Sequence, residues 1–248
     1  MSREKKFIYI LICLGIITIN FNLAAIAAVI PTISKEFGIP DFVVSKIITY
    51  YMLPYGMAAL LYAPLTRFLT YLATLSATLG CYAVASLFCA LTRTYQGLLW
   101  SNVVMGVMAA AAIPVGLMVI GQLFEKEIRG RLVGTFFSCA FLASLAGILF
   151  VGFAPWRVLF FIPAVIGIMT CAALLCLPVK PLAHVHTAEV DYLKIFTVPH
   201  IRNVFLFIGT MSFLYHGVHK WYGVYLDQEY HLSKRMISLF FMITALSG

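Results

Sequence analysis

The sequence predicts an all-α integral membrane protein, because its apolar segments have the length of a bilayer span and carry no charge. Runs without Asp, Glu, Lys or Arg cover Phe7–Ile30, Ile47–Leu65, Leu72–Leu91, Leu98–Leu123, Leu132–Phe153 and Val158–Leu177. A hydrocarbon core of about 30 Å needs about 20 helical residues. Strands of a membrane barrel have about 10 residues of alternating polarity, so we predict that these uniformly apolar runs are helices.

Composition agrees with this fold class and argues against other ones. The chain is 62% hydrophobic and 10% charged, whereas soluble domains carry about 25% charged residues. The net charge of +8 comes from short loops without a basic stripe, so we expect a lipid bilayer as partner and no nucleic acid. All six cysteines fall inside apolar runs without metal-ligand spacing. We therefore predict packing roles for them, and neither a metal site nor a cofactor.

The last quarter of the chain differs from the rest because one of its apolar runs contains charged and titratable residues. A seventh run, Val204–Leu226, contains two histidines and a lysine, and an eighth begins near Met236 and reaches Gly248. Thirteen residues are too few to cross a bilayer, so the sequence is interpreted as a fragment. We predict an N-terminal six-helix bundle over residues 1–177, an inter-domain loop over 178–203 and the start of a second bundle over 204–248.

The basic residues predict an orientation. Arg3, Lys5 and Lys6 directly precede the first run, and a second basic group lies within Lys126–Arg131. Cytoplasmic loops carry an excess of Lys and Arg, and the first span usually dominates. The N-terminus and the 178–203 loop are therefore predicted to be cytoplasmic in a multi-pass protein of the plasma (cytoplasmic or inner) membrane.

The layout of six spans, a long inner loop and further spans resembles the major facilitator superfamily. Four segments resemble motifs of that family in the right order: Ala27–Ile33, Pro114–Gly134, Trp156–Pro163 and Trp221–Leu226. The resemblance implies six-helix bundles, each built of 3+3 inverted repeats, with the substrate between them. Here the second bundle would be incomplete. Residues 27–31 also echo residues 110–114, either as a trace of this repeat or by chance.

The chain departs from the family pattern at charged positions. The family motif in the loop after span two contains several charged residues, and Arg67 is the one that this chain has there. We predict that Arg67 is a gate-loop residue. Asn22 and Asn102 stand where proton-driven relatives carry an acid and an arginine. Because buried ionisable groups usually carry coupling protons, a coupling proton would have to use span seven or another part of the transporter.

Several polar residues in the first six spans are candidates for the substrate path. Asn22 shares a helical face with Thr18, and Asn102 shares one with Met105. Such amides either face a solute or bridge helices by hydrogen bonding. Tyr55 lies deeper than its neighbouring tyrosines, which suit an interfacial belt, and is also a candidate. Small residues at 143 and 147 predict a close helix contact in span five.

Span seven holds the sharpest polar cluster. Ser212, His216 and His219 lie on one helical face, which Lys220 shares. This face is either a solvated helix end or a polar stripe that binds an anion or carries a proton. Two histidines could also ligate a metal, but no thiolate or carboxylate lies nearby in the sequence, so no metal is predicted.

These observations predict a secondary transporter that moves a small solute by alternating access, with or without a coupling proton or other ion. The alternative is a truncated or degenerate relative that does not transport and acts as a membrane binding or interaction protein. An enzyme is not predicted, because no span holds a pair of acids or a metal cluster that could serve catalysis. No sequence pattern predicts an oligomeric state.

Overall fold

The computed structural model describes residues 3–66, 68–177 and 197–247, and all regular elements in these ranges are α-helices. Five described segments are long and apolar enough to cross a membrane, which confirms the predicted fold class. The helices are α1 (Arg3–Leu23), α2 (Ile26–Phe37), α3 (Asp41–Val44), α4 (Lys46–Leu65), α5 (Tyr71–Leu91), α6 (Tyr95–Ala109), α7 (Ala112–Leu123), α8 (Lys126–Val151), α9 (Val158–Leu175), α10 (Pro199–Gln228) and α11 (Lys234–Ser247).

The predicted spans map onto these helices with shifted boundaries. Span one is α1 with α2, span two is α4, span three is α5 and span four is α6 with α7. Spans five to eight are α8, α9, α10 and α11. Helix α10 begins at Pro199, before the predicted start at Val204, because proline is well tolerated in the first helical turn. Most of the predicted loop, and Arg67, lie outside the described residues.

Spans one and four are interrupted rather than continuous. Turns at Ala24 and Ala25 separate α1 from α2, and turns at Ala110 and Ala111 separate α6 from α7. Each break is followed by a helix of 12 residues. The echoing segments differ in register relative to the breaks: residues 27–31 lie inside α2, whereas residues 110–114 begin at the second break. Helix α2 also continues through Pro31, beyond the predicted apolar run that ends at Ile30.

Local capping sets several helix ends. The hydroxyls of Thr70 and Thr94 accept hydrogen bonds from the backbone N–H groups of Ala73 and Gly97, at 3.2 Å each. These bonds satisfy donors that the first helical turn leaves free. Helix α2 ends at Gly38, whose φ of 65° is a left-handed conformation that glycine adopts without strain.

The six-helix bundle is held together at close helix contacts. Helix α1 packs against α8 and α9, α5 packs against α6 and α9, and α4 packs against α6. A Cβ atom added at Gly147 would overlap the carbonyl group of Phe21, and one added at Gly106 would overlap that of Tyr51. The predicted close contact of span five is therefore confirmed, and its partner is span one.

The described parts of spans seven and eight pack on this bundle near one end. Helix α10 packs on α2 where Gly223 meets the backbone of Ala27, and α11 packs on α8 where Ser238 donates a hydrogen bond to the carbonyl of Ile148. From residue 202 to 218, every side chain of α10 is exposed. Among the described residues, spans seven and eight therefore meet the first six spans near the side opposite the N-terminus, and residues 202–218 of α10 stand apart from them.

Candidate substrate site

A cavity of about 160 Å³ lies where span seven meets the six-helix bundle. Four elements surround it: the break in span one, span two, span five and span seven. Counted from Phe7 at 1.5 Å per residue, the break is about 25 Å along the helix axis. The lining residues are Leu23, Ala24, Ala27, Ile48, Met52, Ser144, Tyr215, His216, His219 and Lys220.

The imidazoles of span seven are fixed by aromatic contacts. The ring of His219 stacks on that of Tyr215, with centroids 5.2 Å apart, and meets Phe241 edge-on at 5.0 Å. Tyr215 also contacts His216 edge-on at 5.1 Å. The two histidines have no further metal-ligating partner, since no group of three His, Cys, Asp or Glu suited to a metal occurs among the described residues. The cluster offers two titratable rings against an aromatic wall.

Lys220 supplies the formal charge of the cavity lining. Its Nζ atom donates a hydrogen bond to Oγ1 of Thr49 at 3.3 Å and lies 5.5 Å from the ring centroid of Trp221. The ammonium group makes no ion pair within the described part of the chain. A half-buried ammonium beside a neutral hydroxyl and an aromatic face attracts an anion.

Polar contacts join the first six spans to the end of span seven on the side opposite the N-terminus. Nζ of Lys35 in α2 lies 3.0 Å from a carboxylate oxygen of Asp227 at the end of α10. Nε2 of Gln228 donates to a carboxylate oxygen of Asp41 at 2.8 Å. We call these four residues the polar clamp. They join the first bundle to span seven beyond the cavity.

A second polar cluster ties the first bundle together at the same end. A carboxylate oxygen of Glu36 accepts a hydrogen bond from Nε1 of Trp156 at 2.5 Å, and the other lies 2.6 Å from Nη2 of Arg157. Partial burial raises the pKa of Glu36, but these two hydrogen bonds and the arginine charge outweigh it and hold the pKa below its ordinary value. The Trp-Arg pair at the start of span six therefore has a structural partner in span one.

The two intramembrane asparagines lie inside the six-helix bundle and away from the cavity lining. Oδ1 of Asn22 accepts from the hydroxyl of Tyr82 at 3.0 Å, and Nδ2 of Asn102 donates to the carbonyl of Leu98 at 2.8 Å. Both side chains are fully buried. Each keeps one unpaired polar atom, Nδ2 of Asn22 and Oδ1 of Asn102. Their part in the substrate path stays a prediction, since the Asn22 bond bridges α1 and α5 and the Asn102 bond lies within α6.

The other candidates occupy varied positions. Met105 is fully buried and lies 3.6 Å from the thiol of Cys89, and the half-buried ring of Tyr55 stacks on that of Tyr51. Ser212 is exposed on α10, and it precedes the cavity residues Tyr215 and His216 along this helix. Among the predicted site residues, the structure thus brings His216 and His219 to the cavity.

Sequence reasoning missed several members of the site. Tyr215, Ser144 and Met52 line the cavity, and Lys35 and Glu36 make polar contacts between span ends. Polar spacing within a single helix does not reveal these residues, because they meet across more than 70 positions of sequence. One signal was available: charged residues that directly follow an apolar run are suited to contacts between span ends.

Comparisons with known proteins agree with this architecture. The sequence profile described as Major Facilitator Superfamily matches residues 10–248. The MFS-type transporter oryF of Aspergillus oryzae is 24% identical over 168 residues, which are 64% of this chain and 35% of that protein. The chain thus spans about a third of the length of this curated relative.

Solved structures share the fold at low identity. A bacterial homologue of the human lysosomal transporter Spinster, in an inward-facing and unoccupied conformation, superposes with a TM-score of 0.80 at 14% identity, over 99% of this chain and 60% of that one. The D-xylose-proton symporter gives a TM-score of 0.66 at 13% identity, over 96% and 65%. With its all-helical spans and a family match over most of its length, the chain belongs to the major facilitator superfamily.

Proposed function

We propose that the protein is a secondary transporter, or part of one, that carries a small solute across a bilayer by alternating access. The observation that carries this proposal is the position of the cavity. It lies between the first bundle and span seven, with the polar clamp on one side and separated bundles on the other. A solute would reach it from the N-terminal side.

The orientation that we propose makes this an inward-facing state. The basic residues before span one favour a cytoplasmic N-terminus, in the plasma or inner membrane. The separated bundles would then face the cytoplasm, and the polar clamp would seal the outside. Alternation requires that the clamp open and the opposite side close.

The clamp has the strength that a reversible gate needs. The side chain of Lys35 is 72% exposed and that of Asp227 is 21% exposed. Ion pairs in such settings contribute about 0–1 kcal/mol. An interaction of this size favours one conformation without locking it, and a bound solute could shift the balance.

The proposed carrier of a coupling proton is a histidine. The apolar runs contain no acidic residue, and the titratable rings at the cavity are His216 and His219. The ordinary pKa of histidine, about 6.5, suits proton exchange near neutral pH. A carrier driven by another ion, or by the solute gradient alone, would not use these rings for coupling.

Cross-linking the clamp tests alternating access. Lys35→Cys with Asp227→Cys, in a chain whose native cysteines are replaced, is reconstituted in liposomes and treated with a short thiol-specific cross-linker. We expect cross-linking to stop the flux of a panel of radiolabelled organic acids, sugars and amines, and each single variant to be unaffected. Undiminished flux in the cross-linked protein would contradict the proposal. Solute binding without flux in any variant would favour the non-transporting relative.

A further inference from the structure

The cavity holds a positive charge without a counter-charge. Its lining contains one ammonium, Lys220, and two imidazoles, and no carboxylate occurs among the lining residues of spans one, two, five and seven. The nearest polar partner of Lys220 is the neutral hydroxyl of Thr49. Lys220 is partly exposed, and its contacts with Thr49 and the Trp221 ring are neutral. A ligand that brings a negative charge would supply the counter-charge that the lining lacks.

The break in span one places two helix ends at the cavity. The lining includes Leu23, the last residue of α1, and Ala24 and Ala27, which flank the start of α2. The end of α1 and the start of α2 carry partial charges of opposite sign. These charges offset one another, so Lys220 supplies the net charge of the lining.

We infer that the cavity binds a small organic acid through its carboxylate, with the carboxylate at Lys220 and the apolar part of the molecule against span two. This inference rests on the proposed transport function. Lys220 and Thr49 offer donors for the carboxylate oxygens, and His219 offers a ring N–H. Ile48 and Met52 supply the apolar wall.

The strength and size of the site fit such a ligand. Opposite charges about 4 Å apart attract roughly four times more strongly at an effective dielectric of about 20 than in water. The cavity volume of about 160 Å³ equals the space of about five water molecules at ~30 Å³ each. It therefore suits a solute, or the part of a solute, with a few carbon atoms or a single ring.

Binding to the full chain in lipid nanodiscs tests the inference. Acetate, butyrate and benzoate are compared with acetamide, butyramide and benzamide by calorimetry, with sodium chloride as a further probe. We expect at least one acid to bind about 10-fold or more tightly than its amide. Lys220→Gln should weaken that acid by at least about 10-fold, and Lys220→Arg should retain most of the affinity. Lys46→Gln, at the exposed start of α4, is the matched control and should bind normally.

Each other outcome counts against the inference. Equal binding of an acid and its amide, equal binding to Lys220→Gln, or no binding of any acid would overturn it. Chloride that competes at the same concentration as the acid would assign an inorganic-anion site instead. Because binding needs no transport, acid binding without flux would refute only the proposed function. If cross-linking of the polar clamp stops the flux of neutral solutes and no acid binds, only this inference is refuted.

Discussion

Glu36 joins the ends of three spans through a single carboxylate. It accepts from Trp156 and Arg157 of span six. Arg157 in turn donates through Nη1 to the carbonyls of Ala90 and Thr92 at the end of span three, at 2.9 and 2.6 Å. A guanidinium with neutral acceptors on one side and an acid on the other is well satisfied. The acid therefore fixes the position of the arginine.

Glu36→Gln should lower the stability of the protein, because the amide keeps one acceptor but loses the charge that faces Arg157. Since both side chains are partly exposed, we expect a loss of about 1 kcal/mol in the free energy of unfolding. Thermal unfolding in detergent measures it. Glu229→Gln, on an exposed residue after α10, is the control. An unchanged unfolding temperature in Glu36→Gln would mean that the carboxylate charge contributes nothing.

The same carboxylate predicts a pH dependence. The pKa of Glu36 is lowered in the folded protein, so its contribution is complete above the unfolded pKa of about 4.3. The contribution is lost as the pH falls toward the lower folded pKa. Below about pH 5, the difference in stability between the original protein and Glu36→Gln should shrink. A stability difference that grows on acidification would contradict the lowered pKa of Glu36.

His216→Gln tests proton coupling at the cavity. Glutamine keeps hydrogen bonding but does not titrate near neutral pH, so uptake driven by a pH gradient should fall to background. Exchange of solute across the membrane needs no net proton movement and should persist. Liposome uptake with and without a gradient measures both, with Ser212→Ala on the exposed part of α10 as the control. Gradient-driven uptake equal to the original would place coupling elsewhere.

Substitutions at two glycines of helix α8 distinguish the effect of helix packing on stability from the effect of helix propensity. Gly147 faces the backbone of Phe21, whereas nothing lies within 4 Å of a Cβ atom at Gly134. Gly147→Ala should force spans one and five apart at a cost of about 1–3 kcal/mol. Gly134→Ala should be neutral or stabilise by up to about 1 kcal/mol, because alanine is the better helix former. Unfolding temperatures that shift equally in both variants would contradict the contact.

The element-level prediction succeeded for the spans and missed their interruptions. Uniform apolarity at membrane length fixes where spans lie, because lipid leaves few alternatives. The breaks at 24–25 and 110–111 fall on alanines, which favour helix, so no local signal marks them. The close contact at Gly147 was foreseen as a small-residue step. Its partner, span one, depends on the arrangement of six helices.

At the level of the whole molecule, the sequence likewise predicts one part of the candidate site and misses the rest. The titratable face of span seven was evident from spacing within one helix. The cavity arises only because Ala24 and His216 are brought together from opposite ends of the chain. Asn22 had the correct depth but points toward Tyr82, since helical spacing gives a shared face and not the neighbour that it meets.

A labelling experiment tests the proposed orientation of the molecule. Glu127→Cys and Arg93→Cys are made singly, without the native cysteines, at exposed residues on opposite sides of the bundle. The basic bias at the N-terminus predicts that an impermeant maleimide added to intact cells labels position 93 and spares 127. Labelling at 127 alone would invert the topology and make the described state outward-facing.

The polar face of span seven has a consequence for biogenesis. Helix α10 carries His216, His219 and Lys220 and, like α4, is absent from the five described segments that are apolar enough to cross a membrane; polar and charged residues inside a span raise the free energy of membrane insertion. The six preceding spans are synthesised first. Their surface then offers α10 the backbone beside Gly223 and the hydroxyl of Thr49 for Lys220. We therefore expect membrane insertion of this helix to be favoured by the bundle that is made before it.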